Sequence, residues 1–215
     1  MDKQVALITG ASRGLGAAFA ESLAETHHIV AVGRTTGALE ELDDRIQIKG
    51  GHATLAPMDI THKDAMAHLC KSLFERWGGI DMWVHAAIYA APLTPAATLD
   101  ANDWDKSVAV NVTATGYLIP FVFPLLSDTS KAIFFDDDHR GDKFFSAYGA
   151  TKAAQITLAQ IWAAEHVRSG PTIHILEPNP MPTTTRARFH PGEDKSKLTD
   201  LRIEARRLLN IVAAS

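Results

Sequence analysis

Among 215 residues there is one cysteine, Cys70. That excludes an internal disulfide and any cysteine-built zinc site, and it makes the cytoplasm the expected location. Basic residues are in no excess. With 21 Lys and Arg against 25 Asp and Glu, the formal net charge is −4, so nucleic acid is not an expected partner. Met1-Asp2-Lys3-Gln4 leads into an apolar strand without a signal-peptide h-region, and no run reads as apolar enough to cross a bilayer, so no membrane partner is expected. Repeats, low-complexity tracts and linkers are missing too. The 46% hydrophobic and 21% charged residues fit one globular domain over residues 1–215.

What is present is organised around Thr9–Gly16, Thr-Gly-Ala-Ser-Arg-Gly-Leu-Gly. Val5 to Ile8 before it reads as a buried parallel strand, and Ala17, Ala18, Ala20, Leu23 and Ala24 after it read as a helix. A strand, a glycine turn and a helix start form an anion site, because free N–H groups and the helix dipole both favour a phosphate. Gly10 permits the tight turn, Gly14 lets the backbone approach a pyrophosphate, and Gly16 lets the helix pack close.

Strands and helices then alternate. Strands are expected at His28–Gly33, Ala53–Pro57, Asp81–Ala87, Ala132–Phe135 and Thr172–Leu176. A helix capped by Thr61 ends at Gly78-Gly79. A long helical region over Asp100–Leu126 buries Trp104, Val108, Val112 and Leu118, and another runs from Ser146 to Arg168. A last helix is expected over Lys197–Ala214. The pattern predicts an α/β doubly wound parallel sheet of the Rossmann type, of about six strands in the order 3-2-1-4-5-6 with helices on both faces.

Tyr148-Gly149-Ala150-Thr151-Lys152 is the second signal. At i and i+4 the phenol and the ammonium share a helix face, and a nearby cation favours the phenolate. Such a pair suits proton transfer to a carbonyl that receives a hydride.

With these motifs the chain resembles the short-chain dehydrogenase/reductase family, from Val5 to about Thr185. The Gly-x-x-x-Gly-x-Gly spacing is that family's glycine motif. The resemblance implies Tyr148 as catalytic acid/base, Lys152 as its partner and ribose contact, and Asn111 as the helix asparagine that holds a water linked to the lysine. It implies Asp59 at the adenine and Thr183 at the nicotinamide carboxamide or the phosphates. Further cofactor contacts implied are Gly10, Ser12, Arg13, Gly14, Leu15, Gly16, Arg34, Thr35, Ile60, His85, Ala86, Ala87, Pro178 and Met181. Arg34 follows Gly33 where an NAD enzyme would place an acid, and Arg13 lies in the glycine loop, so NADP(H) is the expected cofactor.

The chain departs from the family pattern in several places. His85-Ala86-Ala87 stands for Asn-Ala-Gly, and Pro178-Asn179 for Pro-Gly. The catalytic serine's place holds Asp136, Asp137 and Asp138, of which Asp137 is assigned to it. An ionised aspartate cannot donate to a developing oxyanion. Ser146 is read as a helix cap, and the acids with His139 as a solvated turn, so no metal is expected. The expected activity is NADPH-dependent reduction of a small-molecule carbonyl or oxidation of the alcohol. The alternative is a weakly active or inactive NADP(H)-binding sensor. The substrate loop is placed at about 181–197. Ala150, Ala153, Ala154, Ala159, Ala163 and Ala164 permit close helix approach, and the family's seventh strand has no counterpart before Ser215. A homodimer through the two long helices is therefore expected.

Overall fold

The computed structural model describes residues 4–137 and 139–214. Its six strands are β1 (Gln4–Thr9), β2 (His27–Gly33), β3 (His52–Pro57), β4 (Ile80–His85), β5 (Leu126–Phe135) and β6 (Thr172–Leu176). They pair in parallel in the order β3-β2-β1-β4-β5-β6, the Rossmann order expected.

Both sheet faces are covered, which is why the strands read as continuous apolar runs. Ala6, Ile8, Ile29, Ala31, Val84 and Ile133 face one core, shared with α1 (Gly14–Leu23), α2 (Thr36–Ile48) and α8 (Leu201–Ala213). Their neighbours Val5, Leu7, Val30, Val32, Trp83 and Phe134 face the other. That second core is closed by α3 (Lys63–Trp77), α5 (Ala114–Val122) and α6 (Ser146–Glu165). Period-two alternation thus splits each strand between two cores. Cys70 is buried in the second core, where it packs as a small hydrophobe.

Several local expectations are corrected. The region expected as one helix over Asp100–Leu126 is α4 (Ala101–Ser107), a π-helical segment (Val108–Thr113), α5 and a 3₁₀ turn (Phe123–Leu125). By length and composition Ala101–Leu125 would suit a membrane span, contrary to the sequence reading, yet its Leu118 and Val122 are fully buried in the core. Trp104 is exposed rather than buried. β5 starts at Leu126, earlier than expected, and Lys195–Lys197 forms a separate 3₁₀ turn before α8.

Thr61 does not cap α3, whose N-cap position is His62; its N–H and hydroxyl both go to Asp59 Oδ1 at 2.9 Å. Ser146 is the first residue of α6 and no cap, because its hydroxyl donates to the Thr94 carbonyl at 2.8 Å. Of the alanines expected at a dimer face, Ala159 is fully buried in the protein's own core.

Candidate active site in the nucleotide cleft

The strand order reverses between β1 and β4, and the carboxyl ends of the strands open there into a cleft of about 360 Å³. One wall is the glycine loop. Gly10 has φ of 82° and Gly14 of 59°, values a side chain would strain. A Cβ on Gly16 would lie 2.3 Å from the Gly10 carbonyl oxygen, so only glycine lets α1 sit this close. The α1 N-terminus has no side-chain cap and no acid in its first turn. Its free N–H groups therefore suit an anion, and the residues present fit a dinucleotide pyrophosphate.

Every residue named for the cofactor lines this one cleft, from Gly10, Ser12 and Arg13 through Arg34, Thr35 and Asp59 to Pro178, Met181 and Thr183. Arg34 is 65% exposed and lies 3.7 Å from Asp59, an open pair that leaves its guanidinium reachable. Thr183 caps α7 (Thr184–Phe189) by accepting from the Arg186 N–H, and its methyl side faces Gly14 across the loop.

Asn111 does not line the cleft. It is fully buried in the π segment, where its Oδ1 accepts from the Tyr89 N–H at 2.7 Å. Its amide donates to the Tyr89 carbonyl and to Thr151 on α6. It positions the loop after β4 against the tyrosine's helix.

Tyr148 and Lys152 do lie in the cleft, both buried. The Tyr148 hydroxyl donates to Asp137 Oδ2 at 2.8 Å, which places Asp137 beside the phenol. Burial, and then the charge and hydrogen bond of Asp137, raise the phenol well above its usual value of 10. Burial lowers the Lys152 ammonium to about 8, although Asp137 and Asp136 pull it back upward. Asp138 lies outside the described residues.

The Asp137 carboxylate also faces His139, Oδ1 to Nε2 at 3.3 Å, while His139 Nδ1 meets Asp142 at 2.8 Å. His139 stacks on Phe145 with centroids 3.8 Å apart. Among the described residues no group of three or more His, Cys, Asp or Glu could hold a metal.

Two groups, Gln155 and Thr115, escaped the sequence reading. Lys152 donates to Gln155 Oε1 at 2.8 Å, and the Gln155 amide donates to Thr115 at 3.1 Å. His85 joins the same network, with Nδ1 at 2.7 Å from the Thr9 hydroxyl and Nε2 at 3.1 Å from Thr115. Burial holds His85 down to about 3, so the imidazole is neutral. The i, i+3 spacing of Lys152 and Gln155 on one helix was the available signal.

Asn179 has a structural reason as well. Its N–H and side-chain amide both bind the buried Glu204 carboxylate, at 2.7 and 2.9 Å, and Arg207 forks onto the same acid. The loop after β6 is thereby tied to α8.

Comparison with known proteins agrees with this geometry. The short chain dehydrogenase family model matches residues 4–194. An uncharacterized oxidoreductase from Staphylococcus saprophyticus is 32% identical over 190 residues, 85% of this chain and 80% of the relative. A short chain dehydrogenase structure from Pseudomonas syringae superposes with a TM-score of 0.85 at 27% identity, covering 93% of this chain and 85% of that one. An alcohol dehydrogenase from the archaeon Thermococcus sibiricus, complexed with 5-hydroxy-NADP, shares the fold with a TM-score of 0.85 at 22% identity, over 99% and 91% of the two chains. With the cleft, the glycine loop and the Tyr148–Lys152 pair in place, this chain belongs to the short chain dehydrogenase family.

Proposed function

We propose that the protein is an NADP(H)-dependent oxidoreductase that reduces a polar double bond of a small molecule, a carbonyl or its analogue, or oxidises the corresponding alcohol, with Tyr148 as the acid/base. The observation that carries this reading is the shared cleft: the uncapped α1 N-terminus, Tyr148 and Lys152 all open onto it. When bound, the dinucleotide would supply or take up the hydride. Gly10, Gly14 and the α1 N–H groups would hold its pyrophosphate, and Lys152 would hold a ribose hydroxyl. Arg34 and Arg13 would take the 2′-phosphate through charge-assisted hydrogen bonds.

Calorimetry with NADPH and NADH, followed by NADPH oxidation over a panel of ketones, aldehydes and imines, tests this. NADPH should bind about tenfold tighter than NADH, and Arg34→Ala should remove the difference. Tyr148→Phe should lower turnover about 10³-fold while NADPH still binds. Failure to bind either dinucleotide overturns the reading.

One observation favours a second reading, a weakly active nucleotide sensor: Asp137 stands where a hydroxyl donor would serve an oxyanion. NADPH binding without turnover by any panel member would select it. A homodimer through the long helices fits the exposure of Phe123 and of Ile161 on α6. Sedimentation equilibrium at micromolar concentration should return twice the chain mass, and a monomer mass would dismiss that surface.

A further inference from the structure

We propose that the substrate of this site is a C=N compound bound as its cation, a protonated imine or iminium, in preference to a ketone or aldehyde. The inference rests on the hydride transfer of the oxidoreductase reading, replaces proton donation by Tyr148 with the Asp137 counter-charge that the phenol holds in place, and concerns only what the cleft presents to the reacting bond.

The argument is a count of protons. Tyr148 has one hydroxyl proton, and it is given to Asp137 Oδ2 at 2.8 Å. The phenol oxygen therefore shows only lone pairs to anything beside it. Asp137 accepts and donates nothing, and its second oxygen faces His139. Lys152, a further donor at this end, is buried and gives one N–H to Gln155 Oε1 at 2.8 Å, and its other N–H groups would be turned to the ribose of the bound dinucleotide. A ketone oxygen placed here would meet two acceptors and a negative charge, and the charge would rise against it as hydride adds. An iminium N–H would find an acceptor and a counter-charge in the same place.

The walls agree with a flat cation. Phe189 lies 4.7 Å from Tyr148 and 5.0 Å from Phe145, ring centroid to ring centroid. Of these rings Phe189 and Tyr148 line the cleft, and an aromatic face attracts a delocalised positive charge. Arg186, one of the cations lining the cleft, is fixed on Glu193 by bonds of 2.6 and 2.7 Å, and that acid takes up most of its charge before a substrate arrives.

The electron count closes without a donor on the protein. The C=N carbon gains a C–H bond with the hydride pair from the reduced dinucleotide, and the π pair becomes a lone pair on nitrogen. A cation becomes a neutral amine, which then takes a proton from water. Asp137 holds the positive nitrogen before the step, and no oxyanion forms for it to oppose.

The test compares 3,4-dihydroisoquinoline, the fixed cation N-methyl-3,4-dihydroisoquinolinium and 1-tetralone, which share one ring skeleton. NADPH binding is measured first; if it is absent, the oxidoreductase reading falls and this inference with it. With NADPH bound, the wild type should reduce dihydroisoquinoline about a hundredfold more efficiently than 1-tetralone. Independently of turnover, calorimetry on the NADP⁺-loaded protein should show the fixed cation binding about tenfold more weakly to Asp137→Asn, while NADP⁺ affinity is unchanged. Asp137→Ser should shift the ratio of rates toward the ketone. Equal or faster ketone reduction by the wild type overturns the inference alone. So does cation binding indifferent to Asp137→Asn, or NADPH binding with neither ring compound reduced.

Discussion

Two buried charges in this molecule are treated in opposite ways. Glu21 on α1 is 7% exposed at its side chain and is surrounded by Arg45 at 2.7 Å, Arg202 at 3.2 Å and Lys49 at 3.8 Å. These cations come from α2, from the residue following it and from α8, so the acid ties together the helices on one face of the sheet. Lys152, in the cleft, is equally buried, but its hydrogen-bond acceptor is the neutral amide of Gln155. Asp136 and Asp137 act on it only through their fields. A charge that serves the architecture is compensated on the spot. A charge that serves a ligand is held at a disadvantage until the ligand comes.

That contrast can be attacked from both sides. Stripping the partners from Glu21 with Arg45→Met/Arg202→Met should cost about 3 kcal/mol in urea unfolding, since a buried carboxylate is left with one distant cation. An unchanged midpoint would show that Glu21 is as weakly supported as Lys152.

The smaller effect has the opposite sign. Lys152 keeps its charge below about 8 in the folded protein and up to 10.5 when unfolded. Between those values the unfolded chain binds more protons, so this group's contribution to stability rises with pH. Below that window its charge is a burden. Lys152→Met should therefore stabilise the protein at pH 7, by about 2 kcal/mol, and the gap should narrow by pH 9.5. A variant less stable than wild type at pH 7 would place Lys152 among the structural charges.

Legibility in the sequence followed distance along the chain. The glycine loop was readable because its requirements are local: Gly10 and Gly14 take positive φ and Gly16 meets backbone within the same turn. The sheet order followed from alternating runs that each bury both faces. Asp137 was harder, since three adjacent acids look alike in sequence and only the loop geometry brings Asp137 to Tyr148, eleven positions away. Thr61 and Ser146 looked like caps, yet Asp59 and the Thr94 carbonyl were better partners for their hydroxyls. Thr115 was silent, and His85 was legible only as a cofactor contact, because their hydrogen-bond partners lie 30 to 76 positions distant.

The π-helical segment Val108–Thr113 has a consequence for how one rod serves two neighbours. Each extra residue in a turn advances the helix by about 100°, so the stretches before and after it are out of phase. Leu118 and Val122 can then meet the sheet while Asn111 points sideways to Tyr89 and Thr151. Remove one residue from those six and the rod would straighten into ordinary winding. The hydrophobic stripe could survive, but the asparagine would swing off both of its clients.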